Sequence, residues 1–536
     1  MVVPKLPRVV WLLVPLCLIS SNMLLAGDLQ IKPGIVVDMY GYQIKQAQSS
    51  EWDEGAALAA TPNIAFLFDS KYLVSVLDWK QKNVFYDDAQ RSDKTLDYID
   101  FNSRLSAWDD RVALSLNAGE GYRLRNTQRG VFADEITGFS QLSKTRYMGT
   151  SLALSTARHR ATQGAVNFTA RKINSELPVI NDDDPQFNEA TFDNALYEMN
   201  FALGTAQRTV GVFWQISGRY AENVRENAID LTSENIEAVL ALPLLEQWAW
   251  VSKARYESNE LYANADNEFG SVGTGLEYRI GKTSYINLTY NVFRRDQLLL
   301  EDGDYWALDM LLAPTRRSSI KVSLDQRYYG RSVEVSGRYR LRHVSAQLTY
   351  NERLRVMNGL ETEVNNLGVL VCPGGSSAAA DCFLPPSANY ELLPGEYLQN
   401  VYANEIEFNE SVVLRKSGLF NLVYDKNRLV YGLSLSRSED EYVETNRFNI
   451  TDNVTVFGKW RLSPTMQLST EYSWYELQFS TEQRTDRSIR IKAGISFEIN
   501  SRSDISLNAQ RVSRDSNLQE FDLEENRAWV TYAYNF

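Results

Sequence analysis

The last nine residues, 528–536, read AWVTYAYNF. Successive side chains of a β-strand point to opposite faces, so residues two apart share a face. One face of this stretch carries the following residues: Val530, Tyr532, Tyr534 and Phe536. The pattern therefore predicts a terminal strand with one apolar, aromatic face. In a soluble protein such a strand packs on a core, so the rest of the chain must decide what covers it.

The same alternation of apolar and polar residues recurs between residues 34 and 536, as in YINLTYNVF (285–293) and SIRIKAGISFEI (488–499). These are period-two patterns, which favour strands over helices. Short turns alternate with long polar loops, the longest at about 353–400. This layout is typical of an all-β, antiparallel transmembrane barrel of the outer-membrane class. We predict about 22–26 strands, with 24 as the best single value.

The N-terminal stretch has the features of a secretory signal. Lys5 and Arg8 precede a short apolar run, and Ala26 is a small residue at which cleavage could occur. We predict a signal peptide at 1–26 and a barrel at 27–536 without a plug domain. The chain has 68 acidic against 55 basic residues, which argues against nucleic acid as a partner.

In a closed barrel the apolar face of the terminal strand meets lipid and needs no other cover. A terminal Phe536 with apolar residues at alternate positions also resembles the signal read by the outer-membrane assembly machinery of Gram-negative bacteria. We therefore expect an integral protein of the outer membrane, in contact with its lipid, lipopolysaccharide and assembly machinery. A soluble edge strand is the alternative.

Enzyme chemistry has little support in the sequence. The two histidines, His159 and His343, are far apart and fall in short turns, and no Gly-x-Ser-x-Gly motif is present. The acidic run at 182–184 could hold a divalent cation through oxygen ligands, but a solvated loop is the more common role for such a run. We predict no catalytic residue, no metal site and no cofactor.

Charged residues inside predicted strands indicate which face lines the lumen. A charge on the lipid face costs about 2–4 kcal/mol near the bilayer midplane. The alternate residues of a strand that carry the charges must therefore face the lumen. The predicted lumen-lining residues are Lys321, Arg327, Arg338, Arg340, Arg342, Arg490 and Lys492. Lys253 and Arg255 repeat the pattern. These groups either favour an anionic solute or pair across strands with Glu334, Asp325 and Glu498, and the sequence leaves both open.

Two other groups of residues have two interpretations each. Trp248, Trp250, Trp460 and Trp474 lie near predicted turns, where they fit an aromatic girdle at the membrane interfaces or, alternatively, platforms for sugars. Cys372 and Cys382 lie close together in one loop. Export to an oxidising compartment favours a disulfide between them over two free thiols.

The stretch PTRRSSIKVSLDQRYYGRSVEVSGRYRLRHVSAQLTYNE, residues 314–352, resembles the signature hairpins of the PEP-CTERM system-associated outer-membrane β-barrel family. The end of the chain, QRVSRDSNLQEFDLEENRAWVTYAYNF (510–536), is similar to that family's end. The resemblance implies a porin-like barrel that accompanies exopolysaccharide synthesis. The loop with Cys372 and Cys382 has no match in the family pattern.

We expect a barrel channel that passes a solute or a secreted exopolysaccharide across the outer membrane. A general or nutrient-uptake porin is one alternative, and a surface-structural or adhesive barrel is another. The loop at 353–400, together with Arg338, Arg340 and Arg342, is expected to narrow the lumen.

Overall fold

The computed structural model describes residues 27–46, 51–87, 91–109, 111–124, 132, 134–139, 142–156, 161–176, 192–206, 208–262, 265–296, 302–356, 369–373, 396–400, 411–443, 447–480 and 483–536. Within these ranges, no helix has the length and apolar character needed to cross a membrane. The described residues form β-strands joined by turns, bends and irregular connections, and the last connection contains a 3-10 turn at Gln519–Phe521.

The strands form one antiparallel sheet of 24 strands and one separate hairpin. The sheet consists of β1 (Gly27–Gln46), β2 (Asp53–Ser70), β3 (Leu73–Tyr86), β4 (Lys94–Ala107), β5 (Val112–Leu124), β6 (Leu142–Ser155), β7 (Thr162–Ser175), β8 (Phe192–Thr205), β9 (Phe213–Val224), β10 (Leu231–Pro243), β11 (Trp248–Tyr262), β12 (Ala265–Ile280), β13 (Ser284–Asp296), β14 (Gly303–Thr315), β15 (Ser318–Arg327), β16 (Gly330–Arg340), β17 (Val344–Val356), β20 (Val412–Lys426), β21 (Leu429–Tyr442), β22 (Arg447–Ser463), β23 (Met466–Phe479), β24 (Arg484–Asn500), β25 (Ser503–Ser516) and β26 (Leu523–Asn535). The hairpin consists of β18 (Val369–Pro373) and β19 (Glu396–Asn400).

The sheet closes on itself because the first strand pairs with both the second and the last. β1 runs antiparallel to β2 and to β26, from Gly34 opposite Asn535 to Gln46 opposite Leu523. Every other strand of the ring pairs with its neighbours in chain order, with β17 joined to β20. A closed ring leaves no unpaired strand edge, which a membrane-spanning sheet requires. The predicted transmembrane barrel of 24 strands is confirmed.

The two ends of the ring differ in the length of their connections. At one end, which we call the short-turn end, the strands are joined by turns such as 71–72 and 341–343. At the other, the long-connection end, the connections include 125–141, between β5 and β6, and 357–411, between β17 and β20. The predicted boundaries of the longest loop, 353–400, were wrong at both ends. The ladder between β17 and β20 continues to Val356 opposite Val412, and both residues are buried.

The outward face of the ring is apolar over a band bounded by aromatic residues and ion pairs. Trp460 is exposed on the outside near the short-turn end of β22. Toward the other end of the same face, Asp452 pairs with Arg437 at 3.3 Å. Asp452 and Trp460 are eight residues apart on a strand that rises about 3.3 Å per residue and is tilted by about 40° from the barrel axis. Their separation along the axis is therefore roughly 20 Å, close to the height of the apolar band of an outer-membrane barrel.

Ion pairs between neighbouring strands continue this upper boundary along the outer face. Lys416 and Glu439 are 3.2 Å apart, Glu476 and Arg487 2.9 Å, and Arg511 and Glu524 3.5 Å. We call these pairs, with Arg437–Asp452, the outer belt. Its position indicates where the apolar band ends and the polar region of the long-connection end begins.

The terminal strand β26 has the two faces that its sequence predicts. Tyr532 and Phe536 are exposed, whereas Trp529, of the other parity, stacks on Tyr40 inside the barrel at a centroid distance of 6.0 Å. Thr531, also inside, donates a hydrogen bond of 2.6 Å to Asp38. The assembly-signal role of Val530, Tyr532, Tyr534 and Phe536 stays a prediction.

Candidate functional site: the lumen

The predicted lumen-lining residues on strands share the inward side of the wall. Lys321, Arg327, Arg338, Arg340, Arg490 and Lys492 all have the parity opposite to the exposed apolar residues of their strands. Lys321 lies 3.1 Å from Glu334 of β16, and both side chains are about half exposed, at 49 % and 50 %. Arg490 pairs with Glu471 of β23, and the Nζ of Lys492 lies 5.6 Å from the centre of the Trp529 ring.

Arg342 does not lie on a lumen-facing strand, contrary to the sequence prediction. β16 ends at Arg340, and the backbone N–H of Leu341 donates to the carbonyl of Val344 at 2.7 Å. This hydrogen bond closes the turn at 341–343, so Arg342 belongs to the short-turn end. His343 lies in the same turn, as predicted, with its Nδ1 3.0 Å from the carbonyl oxygen of Asp425.

The four tryptophans singled out in the sequence lie on the outward face of their strands. Trp248, Trp250 and Trp460 are exposed there, and Trp474 shares the outward parity of β23. Their position fits interfacial residues and not platforms in the lumen. Other predictions fall outside the described residues: the Cys372–Cys382 disulfide, the acidic run at 182–184, and the turn with His159.

A cluster of charged side chains from four strands fills one side of the lumen. We call it the wall cluster: Glu237 of β10, Lys253 and Arg255 of β11, Asp309 of β14 and Asp325 of β15. The Nζ of Lys253 lies 2.9 Å from Asp325, 3.4 Å from Asp309 and 3.8 Å from Glu237. Arg255 contacts both Asp325 and Glu237. Pairing, the second of the two interpretations left open by the sequence, therefore applies to Lys253 and Arg255.

The wall cluster joins strands that are not neighbours. β11 and β15 are separated by three strands, so contact between their side chains requires the wall to curve sharply there. Arg327 of β15 reaches Glu257 of β11 at 3.6 Å in the same region. The two cations of the cluster are almost fully buried and are surrounded by three carboxylates, one more than neutrality requires. This side of the lumen is therefore filled by the wall itself.

The turn between β8 and β9 adds to this filling from the short-turn end. The Nε of Arg208 lies 2.8 Å from Glu277 of β12, and its guanidinium is 4.0 Å from the Tyr285 ring centre. Arg279 donates a hydrogen bond of 2.9 Å to the carbonyl of Gly211, which has a φ of +67°. A residue with a Cβ adopts this left-handed conformation less readily than glycine.

On the opposite side, part of the connection between β5 and β6 lies inside the barrel. We call its described residues, Phe132 and Asp134–Phe139, the lumen segment. Asp134 forms an ion pair with Arg527 of β26, and Glu135 forms one of 2.7 Å with Lys82 of β3. The hydroxyl of Tyr98 on β4 donates to Glu135, and the hydroxyl of Thr137 donates to Glu525 at 2.8 Å.

Apolar and aromatic contacts hold the lumen segment on both sides of the seam between β1 and β26. Ile136 is 3 % exposed and packs with inward residues of β1, β2 and β3, including Ala59 and Val84. Phe132 meets Tyr475 of β23 at a centroid distance of 5.4 Å. At the other end Phe139 lies 5.6 Å from Tyr122 of β5. The segment thus spans the wall from β23, across the seam, to β5.

The local fold of the lumen segment fixes the orientation of Asp134. One oxygen of this carboxylate accepts hydrogen bonds from the backbone N–H groups of Ile136 and Thr137, at 2.9 and 3.0 Å. Burial alone would raise the pKa of Asp134, but the nearby Arg527 and the two backbone donors lower it below the usual range. The carboxylate is therefore charged in its docked position at neutral pH.

Sequence reasoning did not find the lumen segment. The connection 125–141 reads RNTQRGVFADEITGFSQ, which is polar apart from a few residues. The sequence feature that could have indicated a buried position is the set of apolar residues Phe132, Ile136 and Phe139, because a fully solvated loop is usually polar. In the described part of the chain, no group of three or more His, Cys, Asp or Glu is placed to hold a metal ion.

Comparison with family models and with curated proteins gives no match. Solved structures give matches of low similarity. The siderophore receptor PirA from Acinetobacter baumannii is 10 % identical, with 94 % of this chain and 80 % of that chain covered and a TM-score of 0.42. OpdL from Pseudomonas aeruginosa is 12 % identical, with 95 % and 99 % covered and a TM-score of 0.29. Pseudomonas aeruginosa OpdO is 9 % identical, with 95 % and 98 % covered and a TM-score of 0.30.

Proposed function

We propose that this protein is an outer-membrane channel that passes a solute through its lumen and is not an enzyme. One observation carries the proposal: inward side chains of β15 and β16 are exposed to solvent inside a closed ring. Lys321 and Glu334 are each about half accessible although they face the lumen. Ser336 and Arg338 are exposed on the same face. Accessible charges on the inner wall imply a water-filled space beside them.

We further propose that the solute is a secreted exopolysaccharide. The support is the resemblance of residues 314–352 and 510–536 to a barrel family that accompanies exopolysaccharide synthesis. The first stretch includes β15 and β16, the strands whose inner face borders the water-filled space. The polar, charged lining there suits a hydrated polymer better than an apolar ligand.

Liposome swelling tests the channel directly. Purified protein in liposomes should admit small sugars, so that swelling in glucose exceeds that of liposomes without protein. Replacing Ser336 by Trp places a large side chain in the water-filled space and should slow swelling, whereas Trp at the outward Val335 should not. Liposomes that stay impermeable to every sugar would overturn the channel proposal and favour a structural barrel.

The exopolysaccharide proposal needs a cellular measurement. Deletion of the gene should reduce polysaccharide in the medium and retain it in the periplasm, and the wild-type gene should restore export. Normal secretion combined with loss of uptake of a small nutrient would contradict export and would indicate a nutrient-uptake porin.

A further inference from the structure

We infer that the lumen segment occupies an anion-binding site of the wall, and that an acidic, uronate-bearing glycan displaces it. The inference deepens the proposed function and rests on it for the presence of a glycan in the lumen. The lumen segment brings two carboxylates, Asp134 and Glu135, to the wall cations Arg527 and Lys82. A ligand with carboxylates of its own can make the same ion pairs.

The wall under the lumen segment has an excess of positive charge. Of the charged wall side chains that contact the segment within the described part of the chain, Lys82, Lys94, Arg490 and Arg527 are cations and Glu525 is an anion. Arg490 is also paired with Glu471 of the wall, and Arg527 is paired with Glu525 as well as with Asp134. Departure of the segment removes two negative charges from this surface. Arg527 and Arg490 keep their wall carboxylates, but Lys82 loses Glu135, so an anion in the place of the segment would restore the compensation.

Aromatic residues continue this surface toward the short-turn end. Tyr40 lies next to Lys82, whose Nζ is 5.8 Å from the ring centre, and Tyr40 stacks on Trp529 at 6.0 Å. Lys492 lies over the other ring. Cations beside aromatic rings match a polymer in which each sugar ring has apolar C–H groups and a carboxylate. The surface therefore fits an acidic glycan better than a simple inorganic anion.

The geometry of attachment makes the lumen segment displaceable. The segment contacts the wall through its own side chains and through the backbone carbonyl of Ile136, which accepts a hydrogen bond of 2.8 Å from the Tyr86 hydroxyl. The ladder of the barrel runs from β1 to β26 without it. Loss of these contacts therefore leaves the ring intact, as expected for a unit that opens below the stability of the whole fold.

Thiol accessibility tests the inference without reference to conduction. In a Cys372→Ser/Cys382→Ser background, Ala59→Cys places a thiol on the wall within the buried cluster that contains Ile136, where the native residue is 0 % exposed. We call it the covered thiol. Ser336→Cys supplies the matched control, the open thiol, because position 336 also faces the lumen but is exposed. We expect a charged maleimide to label the covered thiol at least about tenfold more slowly than the open thiol in the purified protein. The covered thiol can react only while the lumen segment is detached from the wall.

Oligomers of polygalacturonic acid are the acidic probe, and dextran oligomers of similar length are the neutral control. The acidic oligomers should raise labelling of the covered thiol severalfold, while dextran leaves it unchanged and labelling of the open thiol does not rise. With Lys82→Ser/Arg527→Ser added, the covered thiol should label quickly without any probe. Native heat-modifiable mobility on electrophoresis checks that this barrel has folded.

Two results would overturn the inference: equal labelling of the covered and open thiols in the intact protein, or labelling of the covered thiol that polygalacturonate does not change. Failure of liposome swelling would instead count against the channel proposal. The two failures are distinguishable, because labelling reports the position of the lumen segment and swelling reports permeation.

Discussion

The wall cluster and the lumen segment both place opposite charges inside the barrel, but they are attached to it in different ways. Lys253, Arg255 and Asp325 belong to strands of the hydrogen-bonded ring and cannot leave it while the barrel is folded. Asp134 and Glu135 belong to a connection and are held by side-chain contacts. One side of the lumen is thus filled permanently and the other by a removable element. A 24-stranded ring can in this way be narrow at rest and wider when a ligand displaces the lumen segment.

The largest effect should come from breaking the wall cluster. Asp325→Ala leaves two almost fully buried cations with fewer carboxylates, and loss of one partner from a buried ion pair costs about 3–5 kcal/mol. The midpoint of urea unfolding in lipid should fall accordingly. Glu334→Ala is the control, since its half-exposed pair with Lys321 contributes about 1 kcal/mol or less. Equal midpoints for the two variants would refute the structural role of the cluster.

A core substitution in the lumen segment should open the segment without unfolding the barrel. Ile136→Ala removes apolar contacts worth about 2 kcal/mol, which corresponds to a roughly thirtyfold rise in the labelling rate of the covered thiol. Val74→Ala, a control at an inward but exposed position, should leave that rate unchanged. If Ile136→Ala lowers the urea midpoint as much as Asp325→Ala does, the lumen segment is part of the barrel's global stability and is not displaceable.

Docking of the lumen segment should depend on pH only in acid. The pKa of Asp134 is lowered in the docked state, so its ion pair stabilises docking fully above the carboxyl's ordinary pKa, about 3.9. This stabilisation decreases as the pH falls from that value through the lowered pKa. Reaction of the covered thiol with dithiodipyridine, a thiol reagent that works in acid, should stay slow from neutral pH to about pH 5 and accelerate below pH 4. Asp134→Asn should weaken docking of the lumen segment and reduce the acceleration of labelling below about pH 4. A step near pH 7 would contradict the assignment.

The smallest effect should come from the outer belt. Arg437→Ala removes an ion pair in which the arginine side chain is 64 % exposed, and such pairs contribute about 0–1 kcal/mol. The urea midpoint should change little, and labelling of the covered thiol should not change at all. A fall in the urea midpoint as large as that caused by Asp325→Ala would mean that burial does not explain how much the ion pairs of the wall cluster and of the outer belt contribute to stability.

The sequence predicted the ring, its strand number and the inward parity of its charged strand residues, because these depend on local alternation. The sequence left pairing with Asp325 open but could not decide that Lys253 makes this contact, since the contact joins β11 to β15 and depends on the curvature of the wall. Nor could alternation place Ile136, which belongs to a connection. The error at Arg342 has a similar origin. Arg342 continues the alternation of the inward residues of β16, but the hydrogen bond from Leu341 to Val344 shows that the strand has ended and the turn has begun at this point.

Single-channel conductance tests most directly whether the lumen segment narrows the lumen. Residues 132–139 would be replaced by a Gly-Ser linker of the same length, and residues 380–387 of the 357–411 connection would be replaced in the same way as the control. We predict that the first replacement raises conductance severalfold and increases anion selectivity, because it uncovers Lys82 and Arg527, whereas the second has a smaller effect. Unchanged conductance after the first replacement, or an equal rise after the second, would contradict the account.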